Sequence, residues 1–200
     1  MLAQVRLLER GDSPDALLPR LANEIHGVSR LSRDYLALAR PLDSSTESVA
    51  LRAALERILV NLRAERLAEN HPVSFEGDFP SIRVDGPLLE RALDNIIRNA
   101  FQAMANKPEA GLRIHGFMEN GNYVLGFEDS GTGLGMDHPS DVFKPFVSGK
   151  PGGTGLGLAL TRRILEAMGA SIRALDNPQG GAILLISFPA RMLAAARMPT

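Results

Sequence analysis

The sequence contains no cysteine and only four histidines among its 200 residues. The lack of cysteine excludes a disulfide framework, a thiolate zinc site and a cysteine nucleophile, and it is typical of a cytosolic protein. Long apolar runs are also lacking. The longest, near Ala182–Ala190, is too short to span a bilayer, and the N-terminus lacks the basic-then-apolar order of a signal peptide. We therefore expect a cytoplasmic location, with no direct membrane contact from this segment.

An excess of charge of either sign is missing as well. Lysine and arginine number 22 and aspartate and glutamate 23, which gives a formal net charge of −1. This balance excludes the broad basic face that a nucleic-acid backbone or an anionic membrane would need. The sequence does have apolar material, 44% of its residues, and this is enough for one compact core with a helical appendage.

The helical appendage is predicted at the N-terminus. Apolar residues recur at helical spacing over Ser13–Arg40, and a Gly-Asp-Ser-Pro break separates them from a shorter helix-compatible segment, so the two can form an antiparallel hairpin. A further helix is predicted over Ser48–Glu69. We place the domain boundary so that residues 1–45 form a partial helical hairpin and residues 46–200 form a second domain.

Strands and helices alternate through the second domain. Helices are predicted at Gly86–Ala105 and Gly155–Met168, and a hairpin turn at Gly121-Asn122. This order predicts an α+β fold, a two-layer sandwich in which helices cover one face of a mixed sheet. The predicted strands are Val73–Glu76, Ile82–Val84, Leu112–Met118, Tyr123–Asp129, Ser171–Leu175 and Ile183–Phe188.

Two asparagines stand out on the predicted helix Gly86–Ala105. Asn95 and Asn99 are four residues apart, so both carboxamides project from one face. Asparagine is unfavourable in mid-helix, which indicates a role other than packing, although a solvated helix face would give the same pattern. An amide oxygen suits a hard cation such as Mg²⁺, which needs few protein ligands beside phosphate oxygens and water.

An acid and two glycines follow an apolar strand in the segment Asp129-Ser130-Gly131-Thr132-Gly133. A carboxylate only accepts hydrogen bonds, so Asp129 suits an exocyclic amine such as that of adenine. Gly131 and Gly133 let a ligand approach the backbone closely. An ordinary Asp-Gly turn would look alike.

A glycine-rich segment, Gly152-Gly153-Thr154-Gly155-Leu156-Gly157-Leu158, leads into the second helix, with Lys150 just upstream. Its backbone amides, the helix N-terminus and the lysine are suited to phosphate groups. It is not a P-loop, because no Gly-Lys-Ser/Thr closes it, and no strand immediately precedes it as in a dinucleotide fingerprint. Together the three patterns predict a nucleotide pocket with a divalent cation.

The same residues resemble a known family. Leu93–Ala103 looks like the N box of bacterial histidine kinases, Asp129–Gly133 like their first glycine box, Phe143–Phe146 like their F box, and Gly153–Leu158 like their second glycine box, in the family's order. Over roughly Ser48–Ala190 the chain is similar to the ATP-binding catalytic domain of sensor histidine kinases, in the GHKL ATPase superfamily. This resemblance implies a Bergerat-type ATP-binding fold.

The resemblance also implies ATP and Mg²⁺ as cofactors, and roles for individual residues. Asp129 would hold adenine, and Asn99 would bind Mg²⁺ with Asn95 assisting. Lys150 would act with these asparagines in catalysis and hold the phosphates under a mobile lid, together with the amides of Gly153, Thr154, Gly155, Leu156, Gly157 and Leu158. Ala182 departs from the pattern, since the family often has Thr or Ser near the adenine, and a lower base affinity is expected.

The segment Arg30–Pro41 resembles the end of the second dimerisation helix of such kinases. It implies a homodimer through the N-terminal helices and a response regulator receiver domain as partner. The phosphoacceptor histidine then belongs on the first helix, but Met1–Arg10 contains none, so we expect it outside this chain. In a rival alignment His26 is the acceptor, since Leu21-Ala22-Asn23 precedes it as in the family, although Gly27 stands where an acid is expected.

The implied activity is transfer of the ATP γ-phosphate to a histidine. Related ATPases of the superfamily carry a glutamate four residues before the Mg²⁺-binding asparagine, where it activates water. Here that position is Asn95, which favours transfer to a protein side chain over hydrolysis. Two other functions stay open from the sequence: a non-catalytic ATP-binding regulator or scaffold, and an anti-sigma-type serine kinase with the same fold.

Overall fold

A computed structural model of the protein describes residues 46–68, 71–149 and 154–194. The predicted hairpin of residues 1–45, which includes His26, lies outside the described residues, as do Lys150 and Gly153. The division of the chain at residue 45 therefore stays a prediction. Within the described ranges, no helix is both long enough and apolar enough to cross a membrane.

Seven strands and three α-helices make up the described part of the chain. In chain order they are β1 (Glu47–Ala50), α1 (Leu51–Ala64), β2 (Val73–Gly77), β3 (Ser81–Val84), α2 (Gly86–Met104), β4 (Leu112–Glu119), β5 (Asn122–Asp129), α3 (Gly157–Ala167), β6 (Ser171–Asp176) and β7 (Ala182–Pro189). Short 3₁₀ helices follow at Pro139–Phe143, between β5 and α3, and at Ala190–Met192, after β7.

The larger sheet has five strands in the order β2-β4-β5-β7-β6. Strands β2 and β4 are parallel, and the other neighbours are antiparallel, so the predicted mixed sheet is confirmed. A smaller antiparallel sheet joins β1 to β3, and an isolated bridge adds Leu193 beside Ile82. The C-terminal end of the described chain thus lies next to β3.

One face of the larger sheet is buried. Side chains of one parity along the central strands, such as Ile114, Leu125 and Ile186, are fully buried, whereas Arg113 and Arg173 on the opposite face are exposed. This alternation is what a half-covered sheet requires. The predicted α+β sandwich with helices on one face is confirmed.

Helix α2 supplies much of the covering layer. It begins after Asp85, whose side chain accepts a hydrogen bond of 2.9 Å from the backbone N–H of Leu88, and Pro87 occupies its first turn. Its apolar residues recur at helical spacing and are buried, among them Leu93, Ile97 and Phe101. The opposite, more polar face is left to carry the two asparagines.

Two local expectations were wrong. The segment expected as a helix from Ser48 to Glu69 begins instead with β1, because Val49 pairs with Ile82 of β3, and the helix occupies only Leu51–Ala64. The turn between β4 and β5 is centred on Asn120 and Gly121, both with positive φ, rather than on Gly121 and Asn122. Two such residues form the hairpin turn that matches the right-handed twist of the strands.

Candidate nucleotide-binding site

The carboxylate of Asp129 lies at the end of β5 and is only 7% exposed. Its Oδ1 accepts hydrogen bonds from two backbone N–H groups, that of Gly131 at 2.9 Å and that of Ala182 at 3.3 Å. The first donor belongs to the loop after β5, and the second begins β7. The carboxylate is therefore held in one orientation by the main chain of two neighbouring strands.

The main chain of Asp129 is supported by the turn between β6 and β7. The side chain of Asn177 donates to the Asp129 carbonyl oxygen at 3.3 Å, and Gly181 packs so closely on that carbonyl that a Cβ would collide with it. A Cβ on Gly133, by contrast, would make only an ordinary contact with the Gly181 carbonyl oxygen at 3.4 Å, but Gly133 has a φ of +82°. Sequence reasoning missed Asn177, whose signal was the Asn-Pro-Gln-Gly-Gly turn itself.

The loop after β5 is attached to the end of α2. A Cβ on Gly131 would lie 2.7 Å from the backbone of Ala103, and the N–H of Thr132 donates to the Ala103 carbonyl at 3.1 Å. Lys107, just after α2, donates from Nζ to the Gly131 carbonyl at 2.6 Å. Lys107 also escaped sequence reasoning, because a lone lysine after a helix is an ordinary surface residue.

Asn95 and Asn99 are both partly buried and lie one turn apart on α2, as expected. The Nδ2 of Asn95 donates to the Oγ1 of Thr161 on α3 at 2.8 Å. Its carboxamide also lies against Gly157, where a Cβ would be 2.5 Å from Oδ1. Thr161 was missed, although a polar residue inside the apolar stripe of a helix is a detectable signal.

The described part of the second glycine segment, residues 154–158, leads directly into α3. Gly155 has a φ of +65°, and its backbone packs on Phe146 and Val147, while its carbonyl accepts the Phe146 N–H at 3.1 Å. Leu156 is buried, and no side chain caps the first turn of α3. Uncapped N–H groups at a helix start are suited to phosphate oxygens.

Helix α2 joins the three patterns that are separate in the sequence. It contacts the first glycine segment at Ala103 and the second at Gly157, through Asn95. Across residues 46–68, 71–149 and 154–194, no group of three or more His, Cys, Asp or Glu side chains could hold a metal ion. A cation held mainly by ligand oxygens and one amide, as Mg²⁺ accepts, fits these residues. The fold and these contacts define a two-layer ATP-binding domain of the Bergerat type.

Comparison with known proteins agrees with this class. Residues 84–192, more than half of the chain, match the family described as histidine kinase-, DNA gyrase B- and HSP90-like ATPase. The chain belongs to that family.

Among curated relatives, the chain is 29% identical over 168 residues to the signal transduction histidine-protein kinase AtoS of Escherichia coli (strain K12), covering 83% of this chain and 28% of AtoS. The chain spans less than half the length of the first curated relatives it matches. The histidine kinase AdeS of Acinetobacter baumannii has a similar structure, with a TM-score of 0.74 at 23% identity over 94% of this chain and 92% of that one. Full-length ShkA in complex with AMPPNP also has a TM-score of 0.74, at 21% identity over 92% of this chain and 40% of that one.

Proposed function

We propose that this chain is the ATP-binding catalytic core of a two-component histidine kinase. It transfers the ATP γ-phosphate to a histidine on a dimerisation helix, from which the phosphoryl group passes to a response regulator. The proposal is supported by the family and by relatives named as histidine kinases. A cytoplasmic location and a homodimer formed by the N-terminal helices belong to the same proposal.

The observation that supports this proposal most directly is that an asparagine, Asn95, stands four residues before Asn99. In hydrolytic members of the superfamily the corresponding residue is a glutamate that takes a proton from water. The Asn95 carboxamide cannot accept that proton, and its Nδ2 is already engaged with Thr161. Hydrolysis would therefore lack a general base, a contribution of roughly 10²–10⁴-fold in rate.

A histidine acceptor does not need that base. A neutral imidazole nitrogen is a nucleophile, so transfer requires placement in line with the bond that breaks and stabilisation of charge on the phosphoryl oxygens. In the reaction a bond forms between the imidazole nitrogen and the γ-phosphorus, the bond from that phosphorus to the bridging oxygen breaks, and ADP leaves with both electrons of that bond. This chain's task is to bind and orient ATP.

We assign that task to named residues. Asp129 receives the exocyclic amine of adenine, with Gly133 allowing the base to lie against the backbone, while Gly131 packs on Ala103 and so places the loop beside Asp129. Lys150 and the amides of residues 153–158 hold the phosphates. The amide oxygen of Asn99 is the protein ligand for Mg²⁺, which when bound neutralises phosphate charge.

The test is to incubate the protein with γ-labelled ATP and Mg²⁺, alone and with a separate dimerisation hairpin that carries an acceptor histidine. Phosphohistidine is acid-labile and base-stable, so the chemical stability of the label identifies the acceptor. We expect acid-labile label on the added hairpin, and none when the protein carries Asn99→Ala.

Other outcomes point elsewhere. Acid-labile label on this chain alone would identify His26 as acceptor, and His26→Gln would then abolish it. Acid-stable label on a serine of a partner protein would indicate an anti-sigma-type kinase. Tight ATP binding with no label anywhere would contradict kinase activity and favour a nucleotide-binding regulator.

A further inference from the structure

Thr161 is a buried polar residue in an otherwise apolar face of α3. It is 1% exposed, whereas its buried neighbours on the same face, Leu160, Ile164 and Leu165, are aliphatic. A hydroxyl removed from water needs a hydrogen-bonding partner, because an unsatisfied one is costly. Here the partner is on another helix: Oγ1 of Thr161 accepts from Nδ2 of Asn95 on α2 at 2.8 Å.

Gly157 completes the contact one turn earlier on α3. A Cβ at that position would lie 2.5 Å from Oδ1 and 3.0 Å from Nδ2 of Asn95, so the carboxamide lies directly against the Gly157 backbone. Residues 157 and 161 are four apart and share one face of the helix. The Asn95 amide is thus held between a backbone that leaves it room and a hydroxyl that fixes its rotation.

A simpler interpretation is that Thr161 only satisfies its own helix. Buried threonines commonly donate to the carbonyl four residues earlier, which requires nothing from a neighbouring element. That donation leaves the oxygen lone pairs available, and in this protein the oxygen accepts an amide from α2. The hydroxyl therefore connects two helices rather than serving one.

The connected helices carry the two halves of the predicted phosphate site. Asn99 lies one turn beyond Asn95 on α2, and Gly157 begins the first turn of α3. A shift of one helix along the other would separate the amide oxygen of Asn99 from the N–H groups of that first turn. Positional errors of this kind are costly for a site that binds a chelated metal and phosphates together.

We propose that Thr161 is a positioning residue for Mg²⁺-dependent ATP binding. Its hydroxyl orients the Asn95 carboxamide against Gly157 and so fixes the spacing between Asn99 and the start of α3. The proposal rests on the proposed function, because it assumes that this site binds ATP with Mg²⁺. In this proposal Asn95 fixes the spacing of the two helices and does not itself bind the metal.

The experiment compares Thr161→Val, which keeps the shape but removes the hydroxyl, with Thr161→Ser, which keeps the hydroxyl. Ile164→Val is the matched control, because it removes one buried methylene from the same helix but no hydrogen-bonding group. For each full chain, the dissociation constant of ATP is measured by calorimetry with Mg²⁺ and with EDTA. Solvent exchange of the Asn95 side-chain NH₂ is measured by NMR without nucleotide, the signal being assigned by its loss in Asn95→Ala.

We expect Thr161→Val to lose about tenfold in affinity with Mg²⁺ and little with EDTA, the size expected when a buried hydrogen-bonding group loses its partner. Thr161→Ser and Ile164→Val should keep the wild-type ratio of the two affinities. The Asn95 NH₂ should exchange slowly in the wild type and the serine variant, and rapidly in the valine variant.

Three results would overturn the proposal. Equal exchange of the Asn95 NH₂ in wild type and Thr161→Val would show that the hydrogen bond does not form in solution. Slower exchange in the wild type without a change in the Mg²⁺-dependent affinity would reduce the contact to a purely structural one. If the wild type itself does not bind ATP with Mg²⁺, the proposed function fails and the positioning role fails with it.

Discussion

At the scale of single residues, the main chain holds one oxygen of the Asp129 carboxylate. Its Oδ1 is occupied by the N–H groups of Gly131 and Ala182, which fix the plane of the carboxylate. An asparagine in this place would keep one carbonyl oxygen for those two donors, but its NH₂ would take the place of the second carboxylate oxygen. The substitution therefore changes hydrogen-bond polarity with little change of shape.

We expect Asp129→Asn to weaken ATP binding by about tenfold or more, because two donors would then face each other, and to weaken GTP binding less, because guanine presents an oxygen where adenine presents an amine. Calorimetric titration with both nucleotides measures this. Asp78→Asn is the control. Asp78 is exposed and follows the end of β2 that is far from Asp129. Equal losses for ATP and GTP would contradict recognition of the base by Asp129.

Asn99→Ala should abolish Mg²⁺-dependent nucleotide binding while the fold is retained. The side chain is only partly buried, so its removal opens no large cavity, whereas the proposed metal ligand is lost. Binding is measured with Mg²⁺ and with EDTA, and folding by circular dichroism. Asn61→Ala, an exposed asparagine of α1, serves as the matched control. Wild-type affinity in Asn99→Ala would disprove the metal assignment.

At the scale of elements, α2 determines where both glycine segments lie. Gly131 approaches the Ala103 backbone so closely that any side chain must displace one of the two main chains. The three atoms nearest to a Cβ on Gly157 belong instead to the side chain of Asn95 and not to main chain. Glycine is thus required at 131 because a side chain has no room there. Its replacement would destabilise the contact between α2 and the loop after β5.

Gly131→Ala should therefore lower the free energy of unfolding by about 1–3 kcal/mol, the usual range for overpacking, and weaken ATP binding in the folded fraction. Urea denaturation and calorimetry test the two effects. Gly180→Ala provides a comparison, because Gly180 has a φ of +93° but nothing within 4 Å of its Cβ position, so only backbone strain is added. Wild-type stability and affinity in Gly131→Ala would show that the loop after β5 can move away from α2 without loss of free energy.

The elements of the described residues were largely predictable, and the contacts between them were not. Each predicted strand of the larger sheet ends within one residue of the observed one, because period-two alternation and Gly, Asn or Pro boundaries are local signals. Strand β1 was missed, since its pairing with β3 depends on residues far along the chain. The same applies to the contact of Asn95 with Thr161: the sequence indicated that Asn95 has a task, but only packing reveals its partner.

At the scale of the whole molecule, the uncovered face of the large sheet is organised by charge pairs and one histidine. Arg113 forms ion pairs with Glu76 and Glu128, and these carboxylates raise its pKa. His115 lies beside them, stacked on Phe117, and its buried Nδ1 has no hydrogen-bond partner. Burial lowers the pKa of His115, and Arg113 lowers it further, against an opposing effect of Glu128 and Glu76.

This arrangement makes global stability depend on pH. The His115 pKa in the folded protein lies below the ordinary value of 6.5, so as the pH falls through 6.5 the unfolded chain takes up a proton that the folded protein does not. Stability is therefore full above that pH, declines below it, and levels off once the folded-state pKa is passed. The Glu65 carboxyl, whose pKa is lowered by Arg98, contributes only in the more acidic range below its ordinary value of 4.5.

We expect the free energy of unfolding of the wild type to fall between about pH 7 and pH 5, and this decline to be smaller in His115→Gln, which cannot take up the proton. Urea denaturation at several pH values measures both curves. His138→Gln is the control, because His138 is exposed in the loop before the first 3₁₀ helix, and it should follow the wild type. Parallel curves for wild type and His115→Gln would contradict this prediction. They would mean that the charged imidazole of His115 is as stable on the sheet face as in water, and that its Nδ1 is solvated in solution.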